Sequence, residues 1–428
     1  MSPLIQRVVS GMGANAYGQL VNIIIQLVSL PVFLSHWDLK TYGMWLTLSA
    51  IPAYLSMADI GMVSVAGTRM TILNATGDFK TSNQVFQSAQ FFVGMSCLII
   101  AVIALPIILM IPMPALQIPG ASETLIALTL IVLISMANGL SGSVFRSTHR
   151  YALGTFLDTN TRLLEWIGGL VGFFWIGTFF SVAAGMLLVR TLMAFTLAFI
   201  STKGISHLKW GTKQASLNEV KKMINPSLGY MSFPISNALS FQGFTLLAAA
   251  TLGPVAVAIF NIYRTVARVV VQITSVFSHA LSPELSRLYG NGSHVEFRKL
   301  ASRSTVIGLG GALLFSTAIF FASPFLLEFW TKGKVSFIPG LMALFLVYAA
   351  IAGSWHIPRI VLISTNGHSR LGLIALVVSI AALAFAWMLS KKYNIEGLII
   401  AMTAGEICIS AASIWLYNIL IKNTQLKK

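Results

Sequence analysis

Residues 254–279 read PVAVAIFNIYRTVARVVVQITSVFSH, apolar enough to cross a membrane yet carrying Asn261, Arg264, Arg268, Gln272, Ser275 and His279. The steps between these six are 3, 4, 4, 3 and 4 residues. That spacing places all of them along one face of an α-helix. Val266, Val269, Val270, Ile273 and Phe277 fall elsewhere, free to meet lipid or neighbouring helices. At the helical rise, Arg264 and Arg268 lie roughly 15–21 Å from the Pro254 end, near mid-bilayer. An arginine there costs about 3 kcal/mol or more and marks a functional position. Two on one face call for aqueous or anionic surroundings.

The rest of the chain has the composition this stretch requires. Only 9% of its 428 residues are charged and 56% are apolar, with a mean hydropathy of +0.82. A soluble protein would carry about a quarter charged residues, so an all-α polytopic membrane protein is expected. The opening apolar stretch is too long for the core of a signal peptide and reads as a first span. Cys97 and Cys408 both lie in apolar segments, which argues against a disulfide framework or a thiolate metal site. The formal charge of +16 is read first through its distribution over loops, before any nucleic acid is invoked.

Twelve apolar segments can be placed, at 12–34, 42–64, 86–110, 121–145, 157–177, 178–200, 226–251, 254–279, 303–326, 338–362, 369–390 and 395–421. The N-terminus, the even-numbered loops and the C-terminus together hold nineteen Lys and Arg residues, against five on the other side. Both termini are therefore expected in the cytoplasm. The longest connection is basic and separates six spans from six. The expected organisation is an N-terminal lobe over 1–200, a cytoplasmic linker over 201–225 and a C-terminal lobe over 226–428. At an offset of 215 residues the halves align weakly, with Asn22 on Asn237 and Ser49 on Arg264, as a parallel repeat of two six-helix lobes would require.

Polar stripes recur where that repeat places them. Span one carries Asn15, Gln19, Asn22, Gln26 and Ser29; span two carries Ser49, Pro52, Ser56 and Asp59. A single such residue is ordinarily interhelical glue, worth about 0.6 kcal/mol a contact. Three long stripes, one holding two arginines, favour a hydrated cavity. Among the few charged residues in spans, Asp59 reads as an ion-pair or capping residue, Glu406 as a counter-ion or ion-coupling site, and Arg190 as a partner for an embedded acid. Glu165 follows Asp158 and Arg162 near the start of span five. His279 reads as an interfacial residue or a cap of the polar face, His356 as structural, and Arg359 as a residue that snorkels to the interface. The chain has no phosphate loop for ATP, no His-Glu-x-x-His helix and no histidine pair spaced for a metal. No cofactor is expected, and no enzymatic chemistry.

Leu30-Pro31, Tyr42-Gly43-Met44-Trp45, Met57-Ala58-Asp59-Ile60-Gly61, Thr365-Asn366-Gly367-His368 and Tyr393-Asn394-Ile395-Glu396-Gly397 resemble signatures of the Wzx-type polysaccharide repeat-unit flippases. These belong to the multidrug/oligosaccharidyl-lipid/polysaccharide exporter superfamily. The resemblance covers essentially the whole chain through loose motifs. It implies a twelve-helix, two-lobed fold around a central cavity. It also implies movement of an undecaprenyl-diphosphate-linked oligosaccharide from the cytoplasmic to the periplasmic leaflet of a bacterial inner membrane, for O-antigen or other surface polysaccharide. The partners it implies are that lipid-linked oligosaccharide, membrane lipid, and polysaccharide polymerase and chain-length regulator proteins, with no nucleic acid. In that setting Arg264 and Arg268 suit a diphosphate or acidic sugar, and Asn261, Gln272, Asn22 and Gln26 would line a path for sugar hydroxyls. Two alternatives are a drug/cation antiporter of the same superfamily, which would present acids to its cavity, and a membrane-embedded polymerase or ligase, which would need a sizeable periplasmic loop.

Overall fold

The structure is a computed structural model and describes residues 3–56, 61–110, 120–365 and 369–425. Asp59, with most of the 57–61 motif, and Asn366-Gly367-His368 lie outside the described residues, as does the side chain of His279.

Helices account for nearly all of what is described. In order they are α1 (Pro3–His36), α2 (Leu39–Ala53), α3 (Met62–Ala75), α4 (Phe79–Met110), α5 (Ala121–Ser147), α6 (Tyr151–Trp175), α7 (Phe179–Thr202) and α8 (Leu217–Tyr230). There follow α9 (Ser232–Ala238), a π-helical turn (Leu239–Gly243), α10 (Phe244–Leu252), α11 (Pro254–Gly290), α12 (His294–Thr331), α13 (Pro339–Ser354), α14 (His356–Ser364) and α15 (Ser369–Gln425). Nine stretches among the described residues are long and apolar enough to cross a membrane. Three further crossings are hidden from that criterion. α15 is two helices joined at Tyr393 and Asn394; α2 and α3 are each short; and α6 carries Asp158, Arg162 and Glu165. With these the twelve expected crossings are present.

Outward faces are apolar, as lipid requires. On α7, Leu188, Leu192, Phe195 and Phe199 are each more than half exposed, at steps of 4, 3 and 4 that make one stripe.

The expected continuous span over 42–64 is interrupted. Pro52 sits in the last turn of α2, and Gly61 enters α3 at φ 71°. Proline also divides the tenth span: the ring of Pro358 clashes with the carbonyl four residues back, that of Ser354, where α13 stops. α14 then starts afresh after Trp355.

The chain forms two compact units, Met1–Val32 with Leu48–Met231, and Phe33–Thr47 with Ser232–Lys428. In the first, Met62, Met70, Phe86 and Val144 pack with Val220 and Met223 of α8. Residues 203–216 are ordered along α4. Asn83, Gln87 and Gln90 exchange hydrogen bonds with the backbone of Lys209, Gly211 and Gln214, at 2.6–3.0 Å. α8 is then pinned by Glu219, which accepts from Arg69 and Lys222, both at 2.7 Å. Burial raises the Glu219 pKa, but the two cations outweigh it and hold the carboxyl below its usual range.

The second unit shows why two of the quoted motifs have their glycines. A Cβ on Gly43 would lie 1.7 Å from the Pro254 carbonyl oxygen, so α2 crosses the start of α11 at a distance only glycine allows. At the break in α15, Asn394 adopts φ 49°, and a Cβ on Gly397 would meet the Leu389 carbonyl at 2.4 Å. Lys334 donates to the carbonyls of Leu34 and Trp37 at 2.6 and 2.9 Å, closing the C-terminal end of α1, where a cation complements the helix dipole. Asp38 begins α2 by accepting from the Thr41 amide at 2.7 Å, and that bonding lowers its pKa.

Candidate functional site

On α11, Arg264 is buried, 2% exposed, and every contact it makes is within the second unit. Its Nη1 donates to the Phe241 carbonyl at 2.8 Å. Its Nη2 donates to Thr245 Oγ1 at 2.8 Å and to Asn261 Oδ1. That carbonyl belongs to a π-helical turn over residues 239–243, where the regular i→i+4 ladder is interrupted. Two rings complete the seat, one from the turn and one from α11: the guanidinium carbon lies 4.0 Å from the Phe241 centroid and 4.8 Å from that of Phe260.

Asn261 belongs to the same seat, its Nδ2 donating to the Val257 carbonyl at 2.8 Å. Arg268 is half-buried one turn on, 4.5 Å from the centroid of the same Phe241 ring. Among the described residues, neither arginine forms an ion pair. Gln272 follows on that face, half-buried. Arg264 and Asn261 are thus held by hydrogen bonds to protein groups, and Arg268 rests on the Phe241 ring with no ion pair among the described residues.

Glu406 lies on the second half of α15. The break between α13 and α14 turns Trp355 so that its indole Nε1 donates to Glu406 Oε1 at 2.7 Å. Glu406 lines a cavity of about 20 Å³ together with Ser240, Tyr348 and Ser379, room for one water. Ser379 Oγ lies 2.8 Å from Ser236 Oγ and 3.1 Å from Ser240 Oγ, so a cluster of three serine hydroxyls adjoins the cavity that the carboxyl lines. The Tyr348 hydroxyl is within electrostatic reach of Glu406, Arg264 and Arg268, and Glu406 of Arg359. Arg359 does not simply snorkel: its guanidinium stacks over Phe233 and Trp355 at 5.5 and 5.6 Å. His356 is structural, its Nδ1 lying 3.0 Å from Thr274 Oγ1.

The remaining sequence candidates lie in the first unit. Arg190 on α7 pairs with Glu165 on α6 at 2.6 Å, both side chains close to nine-tenths buried. Asn22 accepts from Arg162 at 3.3 Å, and Arg162 also pairs with Asp158 at 2.8 Å. Gln26 is half-buried on α1. The polar stripe of α1 is largely read by α6: Tyr151 donates to Asn15 at 3.2 Å and Trp166 to Ser29 at 2.8 Å. Much of that stripe is therefore helix-to-helix adhesion.

The structure adds residues that the stripes did not select. Phe241, Thr245, Tyr348 and Trp355 complete the two sites of the second unit. Asn138, Ser141, Asp158 and Arg162 line a pocket of the first. The 4 and 3 spacing of Asp158, Arg162 and Glu165 could have marked α6. Nothing in the sequence announces the π-helical turn.

No family model matches the chain, and no curated protein matches it. Solved structures do. A multidrug resistance MATE family transporter of the MOP superfamily in its inward-facing conformation is matched with a TM-score of 0.75 at 12% identity, over 95% of this chain and 99% of that one. An outward-facing structure described in the same words gives 0.67 at 13% identity, over 99% and 97%. A Vibrio cholerae MATE transporter in the bent form gives 0.61 at 17% identity, over 99% and 98%. At these identities the likeness is one of fold. The chain has the all-α, twelve-helix, two-lobed membrane fold of those transporters.

Proposed function

We propose that the chain is a transporter that carries an anionic lipid-linked oligosaccharide, an undecaprenyl-diphosphate-linked repeat unit, from the cytoplasmic to the periplasmic leaflet of a bacterial inner membrane. The observation that carries this is the α11 pair. Two guanidiniums share one phenylalanine ring with no acid paired to either among the described residues. Uncompensated cationic charge in a low-dielectric span attracts an anion and repels a cation. A diphosphate is the anion that guanidinium forks bind best. In this reading Arg264, seated by Asn261, holds the local fold and field, while Arg268 touches the phosphate; Gln272, Asn22 and Gln26 face sugar hydroxyls.

Likeness to both inward- and outward-facing structures supports alternating access. Glu406, beside a one-water cavity and a serine chain, is the coupling carboxyl, loading a proton or small cation as the states exchange. The excess of Lys and Arg on one side supports cytoplasmic termini. A second reading has its own support. The fold neighbours are described as multidrug transporters, and a cation exporter would share this fold. The sign of the charge on α11 argues for the anionic cargo.

The test uses proteoliposomes carrying a short-chain polyprenyl-diphosphate glycan, with leaflet exchange followed by accessibility to an impermeant lectin. Wild-type protein is expected to accelerate exchange, and Arg268→Ala to slow it about tenfold or more, the loss of one charged contact at a phosphate. Equal rates in the two proteins, or export of cationic dyes with no glycan movement, would overturn the proposal.

A further inference from the structure

An open cavity of about 700 Å³ lies in the first unit where α1 passes the α5–α6 connection. Ser10, Met12 and Asn15 line it from α1, Arg146 and His149 from the end of α5 and the turn beyond, and Tyr151 from the start of α6. Two apolar stretches long enough to span a membrane, Val9–His36 and Ala121–Ser147, have their ends here. The cavity therefore sits where hydrocarbon gives way to water. The connection is held in shape. The Arg150 amide donates to the Phe145 carbonyl at 2.8 Å, and Asn74 to that of Ser147 at 3.1 Å. The Arg150 guanidinium donates to the carbonyls of Ile200 and Ser201 in the last turn of α7, where a cation suits the helix dipole. Between these anchors His149 is kept at φ 60°, a left-handed backbone uncommon outside glycine.

What this rigid turn presents is cationic and reachable. Arg146 and His149 are both exposed, and among the described residues neither side chain has a hydrogen-bond or ion-pair partner. No Asp or Glu lines the cavity, so an anion is drawn in and an ammonium group finds nothing to pair with. Phosphate is the anion that a guanidinium fork fits. The neutral polar side chains here are Ser10, Asn15 and Tyr151, and Tyr151 already donates to Asn15 at 3.2 Å, which leaves little to read a sugar. The remaining lining is apolar: Met12, Tyr151 and Leu153 are exposed. A soluble anion would leave those side chains in water, whereas an amphiphile covers them with its first methylenes. The α5–α6 connection also lies on the side where the loop Lys and Arg gather, the side that meets anionic lipid in the positive-inside arrangement.

We propose that this cavity is a headgroup site for an anionic membrane phospholipid. Arg146 and His149 hold the phosphate, while Met12 and Leu153 meet the start of the acyl chains. The site lies wholly within the first unit and does not depend on what the protein transports.

The test reads where a lipid sits. Full-length protein in phosphatidylcholine nanodiscs receives a small fraction of phosphatidylglycerol bearing a photoreactive diazirine close to its headgroup, and labelled residues are mapped by mass spectrometry. Labelling is expected within 10–15 and 146–153, the two segments that line the cavity. It should exceed that of a matched phosphatidylcholine probe by about fivefold or more, the worth of one basic residue at an anionic surface. Arg146→Gln combined with His149→Gln is expected to lower it by a similar factor and to melt like the wild type, since both side chains are exposed. Equal labelling by the two probes on wild-type protein, a comparison that needs no variant, would overturn the site. So would labelling unchanged in the double variant. Displacement by soluble glycerol 3-phosphate as effective as by unlabelled phosphatidylglycerol would make it a site for a free anion. Displacement by a polyprenyl-diphosphate glycan about tenfold better than by phosphatidylglycerol would give the cavity to cargo, and either result overturns the proposal.

Discussion

Arg190 in the first unit and Arg264 in the second are both arginines in the middle of membrane helices, and the protein solves their burial in opposite ways. Arg190 meets Glu165 at 2.6 Å, so that pair is neutral as a whole. Arg264 meets a carbonyl, a hydroxyl, a carboxamide and two aromatic rings, which solvate the guanidinium while leaving its charge in place. Arg268 adds a second charge on the same ring. The difference separates charge used for cohesion from charge kept available. One unit carries a neutralised ion pair, and the other two guanidiniums on one ring with no acid paired to either among the described residues.

The sharpest way to break this comparison is to unbalance the first unit. Glu165→Gln leaves Arg190 buried without its counter-charge and is expected to cost about 3–5 kcal/mol, read as a large fall in melting temperature in detergent. A melting curve like that of the wild type would mean Arg190 needs no partner. In the second unit, stability and transport should separate. Arg264→Ala removes hydrogen bonds made by a charged group, for about 2–3 kcal/mol, and also abolishes glycan flipping. Arg268→Ala should melt like the wild type and still lose transport. If both variants keep wild-type flipping, the field on α11 has no role in carrying cargo.

Glu406→Gln keeps an acceptor for the Trp355 indole while removing the titratable charge. Fold and melting temperature should be nearly unchanged, and the dependence of transport on an ion or pH gradient should flatten. A gradient response equal to wild type would remove Glu406 from coupling. The smallest effect is expected at Glu219→Gln, about 1–2 kcal/mol through loosening of α8. The Glu219 pKa is held low in the folded protein. Its contribution is therefore present above the ordinary glutamate value of about 4.3 and is lost as pH falls through the lower folded value. The stability gap between wild type and Glu219→Gln should accordingly be full at pH 7 and close in acid. A gap that widens in acid would contradict the assignment.

Polar stripes illustrate how far a pattern alone can be read. The α1 stripe and the α11 stripe look alike in sequence, both built from steps of three and four. The first is largely consumed by Tyr151, Arg162 and Trp166 of α6. On α4, Asn83, Gln87 and Gln90 make a similar row that holds the backbone of the 203–216 connection. Helical spacing says which residues share a face. It cannot say whether the facing element carries matching groups, because those come from residues 121 to 140 positions away.

The sequence by itself determined the crossings, the stripe of α11 and the cost of its arginines, because hydrophobic length, helical period and the price of desolvation are local properties of the chain. It also carried the glycine and asparagine that the Gly43 and Asn394 backbones require, although not the reason for them. Only the tertiary structure decided which acid neutralises Arg190, that a π-helical turn supplies the carbonyl under Arg264, and that the Trp355 indole meets Glu406. Each of these depends on atoms brought within about 3 Å by packing, and packing joins residues that no spacing along the chain relates.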